Sequence, residues 1–243
     1  GTSIKYAGLP WEMGLTEVNQ VLTLNQSEGA APPPARRVET PARPFEALSG
    51  AVPLLYRHVE NTFVDFDRDR LVFHMLSTEG PCMCKGDANG DGREDVYVGG
   101  ARDYPGSLFL QQANGRFAAS NTALFETDKE SEDVDCAFFD ANGDGQLDLY
   151  VASGGNEVST ISSSLADRLY LNTGKGTFAK SPQILPANSY ESTSTVQPGD
   201  FDGDGDIDLF VGIRSIPFYY GLPANGYLLK NDGKGNFSDA TAA

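Results

Sequence analysis

Histidine and cysteine are scarce in this chain: two and three residues in 243. His58 in LLYRHVE and His74 in LVFHMLS are each flanked by apolar residues and read as core or interface rather than catalytic. No nucleophile elbow, phosphate loop or HExxH is spelled anywhere, so no catalytic residue is assigned and the chain is read as a non-enzyme. Basic residues are also few. Eighteen Lys and Arg face thirty-four Asp and Glu, a net charge of −16. Nucleic-acid binding needs clustered Lys and Arg, and the chain has only short pairs such as Arg36-Arg37. No run of about 18 apolar residues is present, which excludes a membrane-spanning helix. The chain opens GTSIKY without Met or a signal-like segment, as expected of a mature or excised product.

What the chain does have is aspartate in a fixed pattern. DANGDGRED (Asp87–Asp95), DANGDGQLD (Asp140–Asp148) and DFDGDGDID (Asp200–Asp208) share one spelling. Oxygen side chains stand at positions one, three, five and nine, with Gly at position six. Alternate oxygens on a tight loop converge on one point, and hard cations take about 6–8 oxygen ligands. An EF-hand is excluded, because its twelfth position is Glu between helices. Here the twelfth positions are Val98, Val151 and Val211, within strand-like runs. The ninth Asp must therefore close each site from the start of a strand. The competing reading is an ordinary acidic turn; three copies in register favour cation loops.

A second block follows each loop: LFLQQANGRF, LYLNTGKGTF and LLKNDGKGNF, ending at Phe117, Phe178 and Phe237. Each reads as an apolar strand, a glycine turn, and an aromatic that opens the next strand. All-β repeats of about four short strands point to propeller blades. The fold expected is an all-β propeller, or part of one.

The pattern GD-x-N-G-D-G-x-x-D-x-x-V-G-G resembles the FG-GAP or VCBS repeat of integrin-α-type β-propellers. RHVENTFVDFDRDRL, LSTEGPCMCKGDANGDG and SGGNEV with DRLYLNTGKGTF resemble, more narrowly, bacterial proteins that carry an ASPIC/UnbV domain and are related to cartilage acidic protein. The resemblance implies about three Ca²⁺ ions, an extracellular or cell-surface location, and a scaffold that binds a protein or glycan. The ligands carried over are Asp87, Asn89, Asp91 and Asp95 with the main-chain oxygen of Arg93, in loop one. Loop two offers Asp140, Asn142, Asp144 and Asp148 with the main-chain oxygen of Gln146. Loop three offers Asp200, Asp202, Asp204 and Asp208 with that of Asp206. Its five carboxylates predict the tightest binding of the three. The alternative function is a calcium-dependent polysaccharide-degrading enzyme of the bacterial surface.

Three cysteines do not suggest a disulfide framework. Cys82 and Cys84 should share a face, and Cys136 takes the register of Met83. They read as small buried apolar residues, with a Cys82–Cys136 bridge left open. Residues 1–30 form an N-terminal segment with one strand at QVLTLNQ, resembling the end of a preceding domain. Residues 31–50 hold a proline-rich linker, and 51–243 the blades. Phe45 to Thr78 is read as β-like, and 157–168 as a surface loop. Tyr104, Phe218, Tyr219, Tyr220 and Tyr227 are candidates for stacking on a glycan, or for packing between blades. Three blades fall short of the seven of integrin-type propellers, so self-association to complete the ring is one expectation.

Overall fold

The computed structural model describes residues 54–185 and 191–242, with the backbone of Thr2–Lys5 and Glu12–Leu15. The chain divides into two compact units, Gly1–Ala47 and Leu48–Ala243. In the first, β1 (Thr2–Lys5) pairs antiparallel with β2 (Glu12–Leu15). The strand expected at QVLTLNQ and the proline-rich linker lie outside the described residues.

Among its described residues the second unit contains three four-stranded antiparallel sheets, each a simple meander. Blade one is β3 (Met83–Gly86), β4 (Asp95–Val98), β5 (Ser107–Gln111) and β6 (Phe117–Ser120). Blade two is β7 (Glu132–Phe139), β8 (Asp148–Gly154), β9 (Arg168–Asn172) and β10 (Phe178–Lys180). Blade three is β11 (Ser192–Gly199), β12 (Asp208–Ser215), β13 (Gly226–Asn231) and β14 (Phe237–Asp239). The first strands of neighbouring blades lie side by side, β3 with β7 and β7 with β11. This is part of a β-propeller.

The acidic loops join the first two strands of each blade. The ninth Asp opens the second strand every time, and the register pairs Gly86 with Asp95, Phe139 with Asp148, and Gly199 with Asp208. The aromatics Phe117, Phe178 and Phe237 open the fourth strands, as their spelling anticipates.

Alternating side chains build the core between blades, not within them. Tyr97 and Leu108 of blade one pack with Leu149, Val151 and Tyr170 of blade two. Tyr150 and Leu169 of blade two pack with Leu209, Val211 and Leu229 of blade three. Each fully buried side chain of this size contributes roughly 1.5–3 kcal/mol. The buried phenols keep partners: Tyr97 donates to Asp133 Oδ2 and Tyr150 to Asp167 Oδ2, both at 2.8 Å.

The β-like reading of residues 45–78 is corrected where it can be checked. No strand occurs among described residues 54–82; α1 (Asp65–Arg68) is a single turn. Burial nonetheless alternates along 54–60. The segment runs as a strap over blade one, with Tyr56 edge-on to Phe109 at 5.9 Å and its hydroxyl donating to Gly99 O. Alternation marks an extended chain with one buried face, and this one has no ladder partner. The insertion 157–168 is a loop whose end is not at the surface: Leu165, Asp167 and Arg168 are buried.

Candidate functional site

The three acidic loops fold alike because their side chains recruit their own backbone. In loop one, Asp91 N donates to both Asp87 Oδ1 and Asn89 Oδ1 at 3.0 Å. In loop two, Asp144 N donates to Asp140 Oδ1 at 3.2 Å and Asn142 Oδ1 at 3.0 Å. One N–H thus draws the oxygens of positions one and three together. In loop three, Gly203 N and Gly205 N donate to Asp200, and Asp204 N to Asp202 Oδ1. The amides of Arg93, Gln146 and Asp206 donate to the fifth-position Asp. Glycine at position six is required: Gly92, Gly145 and Gly205 have φ of 83°, 81° and 97°.

The ninth Asp is fully buried in every loop and fastens it to the third strand. Asp148 accepts from Ala141 N at 2.9 Å and from Asn172 N at 2.7 Å. Asp95 does the same with Ala88 N and Gln111 N, and Asp208 with Phe201 N and Asn231 N. Burial raises the Asp148 carboxyl to about 6, partly offset by those two donors. Asp95 is raised for the same reason.

In loop three, oxygens of Asp200, Asp202 and Asp208 lie within 4.8 Å of one another, a grouping that could hold a metal ion. Loops one and two carry Asn at the third position, so fewer carboxylates meet there. Loop three also has a counter-charge that its own spelling does not contain. Lys230 on β13 pairs with Asp202 and lies 3.0 Å from Asp204 Oδ2. Leu110 and Leu171 occupy this register in the other blades.

Two further residues join the loops to the next blade. Asn172 Nδ2 donates to Ala88 O of loop one at 2.7 Å and to Leu147 O at 3.1 Å. Asn231 Nδ2 donates to Ala141 O of loop two at 2.8 Å and to Ile207 O at 2.9 Å. Loops one and two are thus each clasped from the following blade. Both Asn residues stand at one position of the second repeated block, which is the signal that marks them.

Residues 87–151 and 152–211 match the profile of the FG-GAP-like repeat, just over half of the chain. The chain belongs to the FG-GAP-like repeat family. The first matched segment holds acidic loops one and two, and the second ends on loop three. The glutamate synthase [NADPH] large chain of Azospirillum brasilense is 84% identical over 25 residues, 10% of this chain. The chain spans about 2% of the length of that curated relative. A match so short carries no fold or activity to this FG-GAP-like chain.

The opposite ends of the blades carry the aromatic candidates. Phe218, Tyr219 and Tyr220, between β12 and β13, line a cleft of about 410 Å³ with Arg68, Leu71 and Leu222. The Arg68 guanidinium sits 4.0 Å above the Phe218 ring. Phe218 holds φ of 70°, a strained conformation for an aromatic residue. Tyr104 is exposed elsewhere, whereas Tyr227 packs against the core between blades two and three.

Proposed function

We propose that this FG-GAP-like chain is a calcium-stabilised interaction module that works outside the cytoplasm. The observation that carries the reading is the recurrence of one loop geometry in three blades, each with oxygen donors at positions one, three, five and nine. The donors are hard oxygens, the chemistry that suits Ca²⁺. The residues that would hold it are Asp87, Asn89, Asp91, Asp95 and the Arg93 carbonyl; Asp140, Asn142, Asp144, Asp148 and the Gln146 carbonyl; and Asp200, Asp202, Asp204, Asp208 and the Asp206 carbonyl. Bound cations would neutralise part of the net −16 and would fix the loop rim. The finer likeness to the ASPIC/UnbV group belongs to this reading, as does the extracellular location.

The partner is a protein or a glycan, and its docking place is the cleft around Phe218, Tyr219 and Tyr220. Exposed aromatic rings there offer stacking surface. Self-association is part of the proposal for a separate reason. Tyr97 and Tyr150 are 1% and 0% exposed beneath the following blade, while Phe210 in the same register is 45% exposed. Among the described residues nothing packs on that face of blade three as blades two and three pack on their predecessors.

Calorimetric titration tests the calcium reading. About three Ca²⁺ ions should bind, in the roughly 10⁻⁴–10⁻³ M range of extracellular modules, and more tightly than Mg²⁺. Equal or tighter Mg²⁺ binding contradicts it.

A further inference from the structure

All three cysteines of the chain meet at the junction of blades one and two. Cys82 and Cys84 pack from the inner edge of blade one against the cluster that contains Cys136, buried on β7. Both border the Cys136 thiol.

The next junction shows what this register does. Aligned on the first Asp of each loop, Asp135 stands in the place of Cys82, and Val196 in the place of Cys136. Asp135 Oδ2 accepts from Val196 N and from Thr195 Oγ1, both at 2.9 Å. The inner strands of blades two and three are therefore tied across the gap here. A thiol is a weak donor and a weak acceptor and cannot replace that carboxylate. The site leaves room for sulfur: a Cβ on Gly99 would fall 2.5 Å from Cys82 Sγ.

We propose that Cys82 and Cys136 form a disulfide that ties blade one to blade two, with Cys84 as a third thiol able to replace Cys82 in the bridge. A metal centre fits less well. The three sulfurs do not close to within 4.8 Å of one another as the loop-three oxygens do. Cys136 has both of the others as neighbours, which suits a bridge with an alternative partner.

The oxidant is a small-molecule disulfide such as glutathione disulfide. The half-buried Cys82 attacks it as a thiolate, forming a mixed disulfide and releasing one glutathione thiol. Cys136 then attacks the Cys82 sulfur and displaces the second glutathione. Two cysteine thiols are oxidised, one glutathione disulfide is reduced to two thiols, and the two protons pass to glutathione. Contact with the Cys136 thiol and burial hold the Cys82 thiol far above its ordinary range. The bridge therefore forms slowly in the folded chain at neutral pH, and faster at higher pH or during folding.

The test is a thiol count on the full chain, alkylated in denaturant after refolding with glutathione disulfide or with reductant. The reduced chain should carry three free thiols and the oxidised chain one. Cleavage at Met83 separates Cys82 from Cys84, so peptide mapping of the wild-type chain identifies the bridge even if variants fold poorly. Cys84→Ala should retain the Cys82–Cys136 link and no free thiol. Cys82→Ala should link Cys84 to Cys136. Cys136→Ala should keep two free thiols. The oxidised wild type should melt higher by about 5 °C or more. Three free thiols in the oxidised wild type, an equally fast Cys82–Cys84 bridge in Cys136→Ala, or unchanged melting would each overturn the proposal.

Discussion

Asn231→Ala should remove the clasp between blade three and loop two. The side chain makes three hydrogen bonds: to Ala141 O at 2.8 Å, to Ile207 O at 2.9 Å, and from Gly233 N at 3.1 Å. Truncation leaves the buried Ala141 carbonyl without that donor. An unsatisfied buried group costs about 1–3 kcal/mol, and each partly exposed bond is worth about 0.5–1.5 kcal/mol. The sum is about 4 kcal/mol, which for a unit of this size lowers Tm by roughly 8–16 °C. Urea unfolding at fixed calcium reads the energy, and hydrogen exchange reads the place. Protection should fall at Ala141–Gly145, in the preceding blade, as well as around Asn231. A loss under about 1 kcal/mol, or exchange confined to blade three, refutes the clasp.

Lys230→Met should raise the calcium affinity of loop three on the order of tenfold, because two ion pairs no longer compete with the cation; an unchanged site-specific titration refutes this. Burial raises the carboxyls of Asp167 to about 7 and Glu132 to about 8. Folded values above the unfolded ones mean stability that is complete below about pH 4 and is lost as pH rises through 7 to 8. For Asp167 alone the loss between pH 5 and 8 is about 2–3 kcal/mol, and Asp167→Asn should remove it at constant calcium; parallel pH profiles of the two proteins in urea would contradict the assignment. Phe210→Asp should abolish concentration-dependent association in sedimentation, and a wild type that stays monomeric at all concentrations argues against that face as a self-contact.

The loops and the strand order were legible because their chemistry is local. Asp at odd positions with Gly at the sixth specifies a turn, and the bonds that the side chains of positions one, three and five accept from backbone amides all fall within nine residues. The aromatics that open the fourth strands announce themselves by recurrence. Asn172 and Asn231 recur just as plainly in LYLN and LLKN, but their acceptors belong to the preceding blade, a relation that spacing does not display. Nothing in LLKN separates Lys230 from any other strand residue; only the register places it over Asp202 and Asp204. The segment at 54–60 alternates as a strand would, and only the lack of a ladder partner separates it from one. The cysteine meeting was half visible: their shared face follows from i, i+2 spacing, but the packing of Cys136 against both depends on how two blades lie together.

The central claim is that calcium holds these loops as a structural clip. Thermal unfolding of the chain in saturating calcium and in chelator, with hydrogen exchange followed in parallel, tests it most directly. The account predicts a lower Tm in chelator, with protection lost at Asp87–Asp95, Asp140–Asp148 and Asp200–Asp208 and restored by Ca²⁺ but poorly by Mg²⁺. The same Tm and the same exchange in both conditions would contradict it.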